Sequence, residues 1–278
     1  MQRLAFGPVS AYFAHRWSDP TFLSGLALAE AHWTAPANVF ELACGAGHYL
    51  REFARLCSDV VGGDVVFAKL WLARRYIAPS AQLICFDAAS SWPLPDRAAE
   101  LVFCHDAFYF LPEKLHVATE MGRVAAGPLL VGHAHNALVD NFSAGSPLSP
   151  YGYAALFPRP LLYDDAELTR SLVEARAPRP APAEDLAPAS AIALAANAPE
   201  PKPVVGGLAM PQAGAALRRN PLYHDGMIAW PSERYEKEYG PLATYPSRAT
   251  GPGRAVAGDD GIEDLVRRRV LLELPRSW

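Results

Sequence analysis

Three carboxylates recur at equal intervals in the first third of the sequence. Glu41, Asp64 and Asp87 each accompany the end of a short apolar run, and 23 residues separate each one from the next. This interval accommodates one strand, one crossover helix and their loops, so the three side chains would gather at the carboxyl edge of neighbouring parallel strands, where open α/β sheets bind ligands. Three acids there suit a ligand rich in hydroxyl and amino donors and without phosphates. The alternative is that each acid caps the following helix.

A glycine-rich turn follows the first acid. The segment ELACGAGHYL places Gly45 and Gly47 between an apolar run and an amphipathic stretch, and glycines let the backbone approach a ligand closely. The dinucleotide fingerprint GxGxxG requires a third glycine, but Leu50 stands there. A nicotinamide-dependent oxidoreductase is therefore disfavoured. On its own, the turn is equally consistent with a tight turn that binds nothing.

The elements that position these residues follow from the apolar pattern. Short apolar runs alternate with amphipathic stretches, at 39–43, 60–61, 83–86, 101–104 and 129–131. This alternation predicts a parallel sheet with helices on both faces. We also predict an N-terminal helical segment over 1–34, helices over 163–172 and 261–268, and a final strand over 269–274.

Composition excludes several classes of partner. The 278 residues include 25 Lys plus Arg against 29 Asp plus Glu, which leaves no basic surplus for nucleic acid. The four cysteines form no CxxC pair, so we expect reduced thiols, with no metal site and no disulfide. No stretch is typical of a signal peptide or a membrane span. We therefore expect a soluble, cytoplasmic protein with no membrane partner.

The C-terminal half has a different composition. Seven prolines lie within 176–203, which predicts an extended linker or a mobile lid. Residues 217–246 are rich in aromatic side chains. They either cover an acceptor site, with Tyr223, His224 and Tyr235 as candidate contacts, or form core packing or a homodimer interface.

Residues 37–136 as a set resemble a class I S-adenosylmethionine-dependent methyltransferase. ELACGAGHYL resembles the glycine-rich first motif, VVGGDVVFAKLWLARRY the second strand, ICFDAASSWPLPDRAAELVFCHDAFYFLP the third and fourth motifs, and EMGRVAAGPLLVG the approach to the fifth strand. The resemblance implies a Rossmann-like methyltransferase fold, α/β in class, with a mostly parallel seven-stranded sheet and helices on both faces. It also divides the chain into an N-terminal helical segment (1–34), a cofactor-binding core (35–136) and a C-terminal substrate-covering region (137–278).

The resemblance also implies roles for individual residues toward S-adenosylmethionine, with S-adenosylhomocysteine as the product. Gly45 and Gly47 would pack against the methionine part, and Ala43 stands where the first glycine of the motif usually lies. Asp64 would bind the ribose hydroxyls, and Glu41 would act through the ammonium group or ordered water. The remaining implied cofactor contacts are Asp87 and Ala88 at the adenine, His105 at the methionine moiety, and Tyr12 and Arg16 on an N-terminal helix that closes over the cofactor.

Methyl transfer to a hydroxyl needs an aligned acceptor and a base. The candidate bases are His105, Asp106, His133 and His135. The last two alternate in GHAHN, and we expect them to point to opposite faces so that only one faces the acceptor. HDAFYF replaces the (D/N)PP(Y/F) motif of the amide- and exocyclic-amine-methylating branches. We therefore expect a small-molecule acceptor methylated at a hydroxyl oxygen. The alternatives are N- or C-methylation, or an inactive methyltransferase-like binding or assembly protein.

Overall fold

The computed structural model describes residues 15–141 and 145–275. Its helices are α1 (Pro20–Ala31), α2 (His48–Phe53), α3 (Phe67–Leu72), α4 (Lys114–Val124), α5 (Pro150–Ala154), α6 (Asp165–Val173), α7 (Glu233–Tyr239) and α8 (Glu263–Arg267). Its strands are β1 (Asn38–Leu42), β2 (Asp59–Asp64), β3 (Gln82–Cys85), β4 (Leu101–His105), β5 (Leu129–His135), β6 (Leu161–Asp164), β7 (Ala191–Ala196), β8 (Ala216–Arg219), β9 (Tyr223–His224), β10 (Met227–Ile228), β11 (Arg254–Val256) and β12 (Leu271–Leu272).

The main sheet has seven strands in the order β3-β2-β1-β4-β5-β7-β6. The pairs from β3 to β5 are parallel, and β7 runs antiparallel to both of its neighbours. The predicted α/β fold with a mostly parallel seven-stranded sheet is therefore confirmed. The strand order reverses direction between β1 and β4, and this switch point is where open α/β sheets form a ligand crevice.

Both faces of the sheet are buried, which explains why its strands read as continuous apolar runs. In β4, Phe103 packs with Leu26 of α1 on one face, whereas Val102 and Cys104 pack with Met121 of α4 on the other. This alternation follows from the two-residue period of a strand. We call the first side the α1 face, because α1 and α6 cover it.

The predicted linker over 176–203 is wrong for its central part. Residues Ala191–Ala196 form β7, and all six are buried. The seven prolines flank this run rather than interrupt it, so its small apolar side chains are free to pair with β5 and β6. The sheet thus extends beyond residue 136, into the region predicted to cover the substrate.

Two further element boundaries differ from the predictions. The helix predicted over 163–172 begins at Asp165, because Tyr163 lies in β6 and Asp164 caps the helix by accepting from the Ala166 amide at 3.0 Å. The predicted final strand shortens to β12, which pairs with β8 in a separate three-stranded sheet of order β11-β8-β12. Across the described ranges, no helix is long and apolar enough to cross a membrane.

Candidate functional site

The turn between β1 and α2 is built from left-handed backbone conformations. Gly45 and Gly47 have φ of +55° and +80°, and Ala43 has φ of +54°. An L-residue such as alanine adopts this region at a cost of roughly 1–2 kcal/mol. Ala43 therefore keeps the conformation expected of the glycine it replaces. A Cβ atom at Gly45 would meet no heavy atom within 4 Å, so the turn leaves open space above that peptide.

The three acids lie at successive levels of the sheet. Glu41 pairs with Gly62, two positions before Asp64, and Asp64 pairs with Cys85, two positions before Asp87. Since a strand rises about 3.3 Å per residue, each acid lies roughly 6–7 Å further along the strands than the one before. Glu41 is inside its strand, Asp64 is at a strand end, and Asp87 is exposed beyond one.

Asp64 holds the turn in place. Its Oδ2 accepts a hydrogen bond from the Gly45 amide at 2.9 Å, and its Oδ1 accepts from the Val66 amide at 2.7 Å. A carboxylate has about four acceptor positions, so Asp64 retains capacity for a ligand hydroxyl. Asp87 accepts from the Ala89 amide at 2.9 Å, while Ala88 is buried between them.

Glu41 is a buried acid with spare acceptor capacity. It is 3% exposed, and its Oε2 has no hydrogen-bond partner among the described residues. Burial raises the pKa of Glu41 well above its ordinary value, although the charge of Arg16 opposes this shift. A cationic ligand group would favour the ionised form of such an acid. Glu41 thus suits a ligand that brings an ammonium group or another strong donor.

Arg16 links the N-terminal segment to the end of β4. Its Nη1 donates to Asp106 Oδ2 at 3.0 Å and lies 3.4 Å from Asp19 Oδ2, the acid that caps α1. Tyr109 also donates to Asp106, at 3.1 Å, so both carboxylate oxygens of Asp106 have partners. Tyr12, the other residue predicted on this helix, lies outside the described residues.

His105 is enclosed by the protein. Its Nδ1 lies 3.1 Å from the Tyr49 hydroxyl and its Nε2 lies 3.4 Å from the Ser24 hydroxyl. A Cβ atom at Gly25 or Gly132 would come within 3 Å of its ring. Burial lowers the pKa of His105 well below its ordinary value, so the ring is neutral. Both ring nitrogens are thus occupied by internal contacts.

A β-bulge near the end of β5 determines where its histidines point. Val131 pairs with Leu194 and Ala134 with Ile192, so β5 has one extra residue between these pairs, and His133 has φ of +46°. Ala134 consequently packs on the same side as Leu129 and Val131. A bulge of this kind shifts the alternation of a strand by one residue.

The expectation that His133 and His135 point to opposite faces is wrong. Residues two apart in a strand share a face, and the centroids of the two rings lie 5.2 Å apart. Because the bulge includes His133 and keeps Ala134 on the side of Val131, both rings lie off the face occupied by Ala134. His133 instead stacks against His105, with ring centroids 6.1 Å apart.

The two histidines have opposite electrostatic environments. His133 Nδ1 lies 2.9 Å from Asp165 Oδ2. Burial alone would lower the pKa of His133, but Asp165 and, more weakly, Asp106 raise it to about 9. His135 stacks on Tyr109 with centroids 4.1 Å apart, and burial and the His133 charge lower its pKa. At neutral pH, His133 is cationic and His135 is neutral.

A cavity of about 570 Å³ adjoins this pair. His133 and His135 contribute to its wall from β5, Asp165 and Thr169 from α6, and a C-terminal segment (238–244) from the opposite side. The volume is within the range of small-molecule sites. Glu238, Tyr239 and Thr244 are among the residues of this segment that line the cavity.

The other predicted acceptor residues lie elsewhere. His105 and Asp106 are not part of the cavity wall, nor are Tyr223, His224 and Tyr235. Tyr223 donates to the Pro246 carbonyl at 2.6 Å, His224 is exposed, and Tyr235 packs edge-on to His15. The aromatic region therefore reaches the cavity through 238–244 rather than through these three side chains.

Sequence reasoning missed Asp165. Asp164 and Asp165 lie next to each other at the start of the predicted helix, where an acid commonly caps a helix, but only one of the two is needed for that role. Asp164 provides the cap, which leaves Asp165 to bind His133. A second acid next to a helix cap was the available signal. His133, Asp165 and His135 do not form a metal site, since no group of ligating side chains in the described parts of the chain could hold a metal ion.

Comparisons with known proteins give the domain its class. Residues 40–127 match a family model described as a methyltransferase domain. None of the curated proteins matches the chain significantly.

Several solved structures are similar to parts of the chain. The YcgJ protein of Bacillus subtilis is 20% identical over 48% of this chain and 65% of its own, with a TM-score of 0.43. An S-adenosylmethionine-dependent methyltransferase of Aquifex aeolicus is 19% identical over 54% and 86%, with a TM-score of 0.40. An amino pentose methyltransferase of Micromonospora echinaspora, solved with S-adenosylmethionine bound, is 23% identical over 45% and 56%, with a TM-score of 0.37. The chain thus spans about two thirds of YcgJ and just over half of the amino pentose enzyme.

The sheet order and the glycine turn define a Rossmann-like ligand-binding domain. The family match makes the class more specific: residues 40–127 match the model of a methyltransferase domain, in agreement with the resemblance of the sequence to class I S-adenosylmethionine-dependent methyltransferases. S-adenosylmethionine is the cofactor of this class of enzyme. The residues present fit it, because the buried Glu41 Oε2 has acceptor capacity to spare and the peptide of Gly45 is open to a ligand.

Proposed function

We propose that the protein transfers a methyl group from S-adenosylmethionine to a hydroxyl oxygen of a small molecule bound in the cavity beside β5. The observation that carries this proposal is the presence of two histidines from one strand in the wall of that cavity, at the carboxyl edge of the sheet. When bound, S-adenosylmethionine supplies a methyl carbon whose bond to sulfur breaks, with the electron pair staying on sulfur, as the bond to the acceptor oxygen forms.

Different residues of the chain would hold the cofactor, accept the proton and select the acceptor. The turn at Gly45 and Gly47, with Glu41, Asp64, Asp87 and Ala88, would hold the cofactor, and Arg16 would close the site from the N-terminal side. A histidine in the cavity wall would receive the hydroxyl proton when its ring is in the neutral form, since only a neutral imidazole has a nitrogen that can accept a proton. The segment 238–244 would select the acceptor by shaping the opposite wall.

Calorimetry with S-adenosylhomocysteine tests the first half of the proposal. We expect saturable binding at one site per chain, and the absence of binding would contradict the proposed activity. A panel of hydroxyl- and amine-bearing acceptors, with release of S-adenosylhomocysteine as the readout, tests the second half. Turnover confined to amines would replace oxygen by nitrogen as the acceptor atom.

A cytoplasmic location, a homodimer and the lack of a nucleic-acid partner stay predictions.

A further inference from the structure

The pair formed by His133 and Asp165 joins two separate elements of the fold. His133 lies at the bulge of β5, and Asp165 is the first residue of α6. A hydrogen bond of 2.9 Å joins Nδ1 of His133 to Oδ2 of Asp165. The His133 side chain is 18% exposed and forms part of the cavity wall. Since Nδ1 donates to Asp165, Nε2 is the ring nitrogen left for an acceptor molecule.

We propose that Asp165 is a positioning residue that holds His133 as the base of the methyl transfer. This inference rests on the proposed function, because it assigns the proton of the acceptor hydroxyl. The imidazolium first releases its Nε2 proton to solvent, and the neutral form becomes the major one as the pH rises through about 9. The O–H bond of the acceptor then breaks toward Nε2, which takes the proton while the oxygen takes the methyl group. His133 then carries that proton as an imidazolium paired with Asp165 and returns it to solvent. A carboxylate at Nδ1 fixes both the tautomer and the orientation of such a ring.

The surroundings of His133 favour Asp165 over the other acids nearby. The titratable or charged groups that face the ring are Arg16 and Asp19 from the N-terminal side, His105 and Asp106 from β4 and its end, His135 from β5, and Asp165 from α6. Asp106 is bound by Arg16 and Tyr109, and Asp19 caps α1. Asp165 instead keeps an Oδ1 with no partner among the described residues, so more of its charge is left to stabilise an imidazolium.

His135 provides an internal contrast. It lies in the same cavity wall and shares the face of His133, but no carboxylate binds its ring in the described part of the chain. The proposal therefore makes a specific distinction between two neighbouring histidines. Loss of Asp165 should lower the pKa of His133 directly, whereas the pKa of His135 should respond only through the reduced charge of His133.

The first test measures the protein without an acceptor. Imidazole nitrogen shifts recorded by NMR across a pH series should give His133 a pKa near 9 in the unaltered chain. In Asp165→Asn the pKa should fall toward the ordinary value of about 6.5. Asp164→Asn is the matched control, because asparagine also caps helices, and it should leave the pKa unchanged. An equal His133 pKa in the unaltered chain and in Asp165→Asn would overturn the proposal.

The second test uses turnover. Above about pH 9, where the ring is neutral in both proteins, kcat should be about 10²-fold or more lower in Asp165→Asn, and the rise of kcat with pH, centred near pH 9 in the unaltered chain, should move to lower pH. KM and the affinity for S-adenosylhomocysteine should stay the same. Asp165→Glu keeps the charge on a longer arm, so it should retain a raised pKa with a reduced kcat, and it serves if Asp165→Asn does not fold. Full kcat in either folded variant would sink the assignment. Failure to bind S-adenosylhomocysteine would instead count against the proposed function, since the NMR result is independent of it.

Discussion

Two edges of the site are assembled over different distances along the chain. We call Glu41, Gly45, Asp64 and Asp87 the cofactor edge, and His133, His135 and Asp165 the acceptor edge. At the cofactor edge, the bonds from Asp64 reach residues 19 and 2 positions away, and Asp87 binds an amide 2 positions away. At the acceptor edge, His133 binds a residue 32 positions away, and Arg16 beside it binds one 90 positions away. The cofactor edge is thus held by contacts between residues that are close in sequence, whereas the acceptor edge is held by contacts between distant parts of the chain.

This difference has a physical consequence for substitution. A local turn is held by neighbours in sequence, so a change there alters ligand binding with little effect on the rest of the chain. The acceptor edge is held between β5, α6 and the N-terminal segment, so changes there combine chemistry with packing. If the contrast is correct, variants at the two edges should affect different measurements.

The largest effect is expected at His133. His133→Ala should lower kcat by about 10²- to 10⁴-fold, because a general base is worth that much in rate, while the affinity for S-adenosylhomocysteine stays unchanged. His135→Ala should spare most of the turnover. Steady-state kinetics and calorimetry on the same preparations provide the check. Equal and negligible effects of both variants would remove both histidines as bases.

The next effect is expected at Asp64, on binding rather than rate. Asp64→Ala should weaken S-adenosylhomocysteine binding by about 1–3 kcal/mol through lost charged hydrogen bonds. Asp87→Ala should cost less, because Asp87 is exposed and supports only its own loop. Calorimetric titration checks the order. Asp59→Ala, at the opposite end of β2, is the control, and an unchanged affinity in Asp64→Ala would contradict the site assignment.

A third variant tests packing behind the acceptor edge. Gly132→Ala would place a Cβ atom 2.2 Å from the His105 ring, so we expect a loss of about 1–3 kcal/mol in the free energy of unfolding from overpacking. Gly122→Ala, where a Cβ atom meets nothing within 4 Å, should instead gain about 0.5–1 kcal/mol in helix α4. Chemical denaturation measures both. A neutral Gly132→Ala would mean that His105 is free to move.

The least localised effect is a dependence of stability on pH. Burial lowers the pKa of His15 to about 3 and that of His32 to about 4, and it lowers the pKa of His48 and His105. Below pH about 6.5 the unfolded chain takes up protons that these folded histidines do not. Stability should therefore fall as the pH falls from 7 to 5, at up to about 1.4 kcal/mol per pH unit for each such group.

Two groups modify this pH dependence. Burial raises the pKa of Asp19 to about 6, which opposes the loss between pH 6 and 4. The raised pKa of His133 adds stability that is complete below about pH 6.5 and lost as the pH rises through about 9. Denaturant titrations at several pH values give the free energies. A constant stability between pH 7 and 5 would mean that the folded and unfolded chains take up equal numbers of protons in this range.

The cofactor edge could be predicted from sequence because its signals are local. The apolar runs placed β1 to β5 to within a few residues, and the equal spacing of three acids followed from the regular alternation of strand and helix. The stagger between the acids could not be predicted, since it depends on strand register. Ala43 gave no sign of its left-handed backbone beyond its position in the turn.

The acceptor edge could not be predicted in the same way. Whether Asp164 or Asp165 caps α6 depends on which of them finds a partner across the fold, and His133 is that partner. The proline content of 176–203 obscured β7, because a buried run of small residues looks like a low-complexity linker. The aromatic residues Trp230, Tyr235 and Tyr239 proved to surround His15, a contact between distant parts of the chain.

The bulge in β5 has a consequence for changes in chain length. Because strand side chains alternate with a period of two, deleting a single residue between Val131 and Ala134 would restore a regular ladder. Ala134 still pairs with Ile192 after such a deletion, so Ala134 keeps the face that packs on α4 and the histidine at the end of β5 keeps the α1 face, while only one of Gly132 and His133 remains between Val131 and Ala134. The extra residue of the bulge is therefore what gives β5 room for His133 beside Gly132, and a deletion that removes His133 would leave the rest of β5 and the cofactor edge in register.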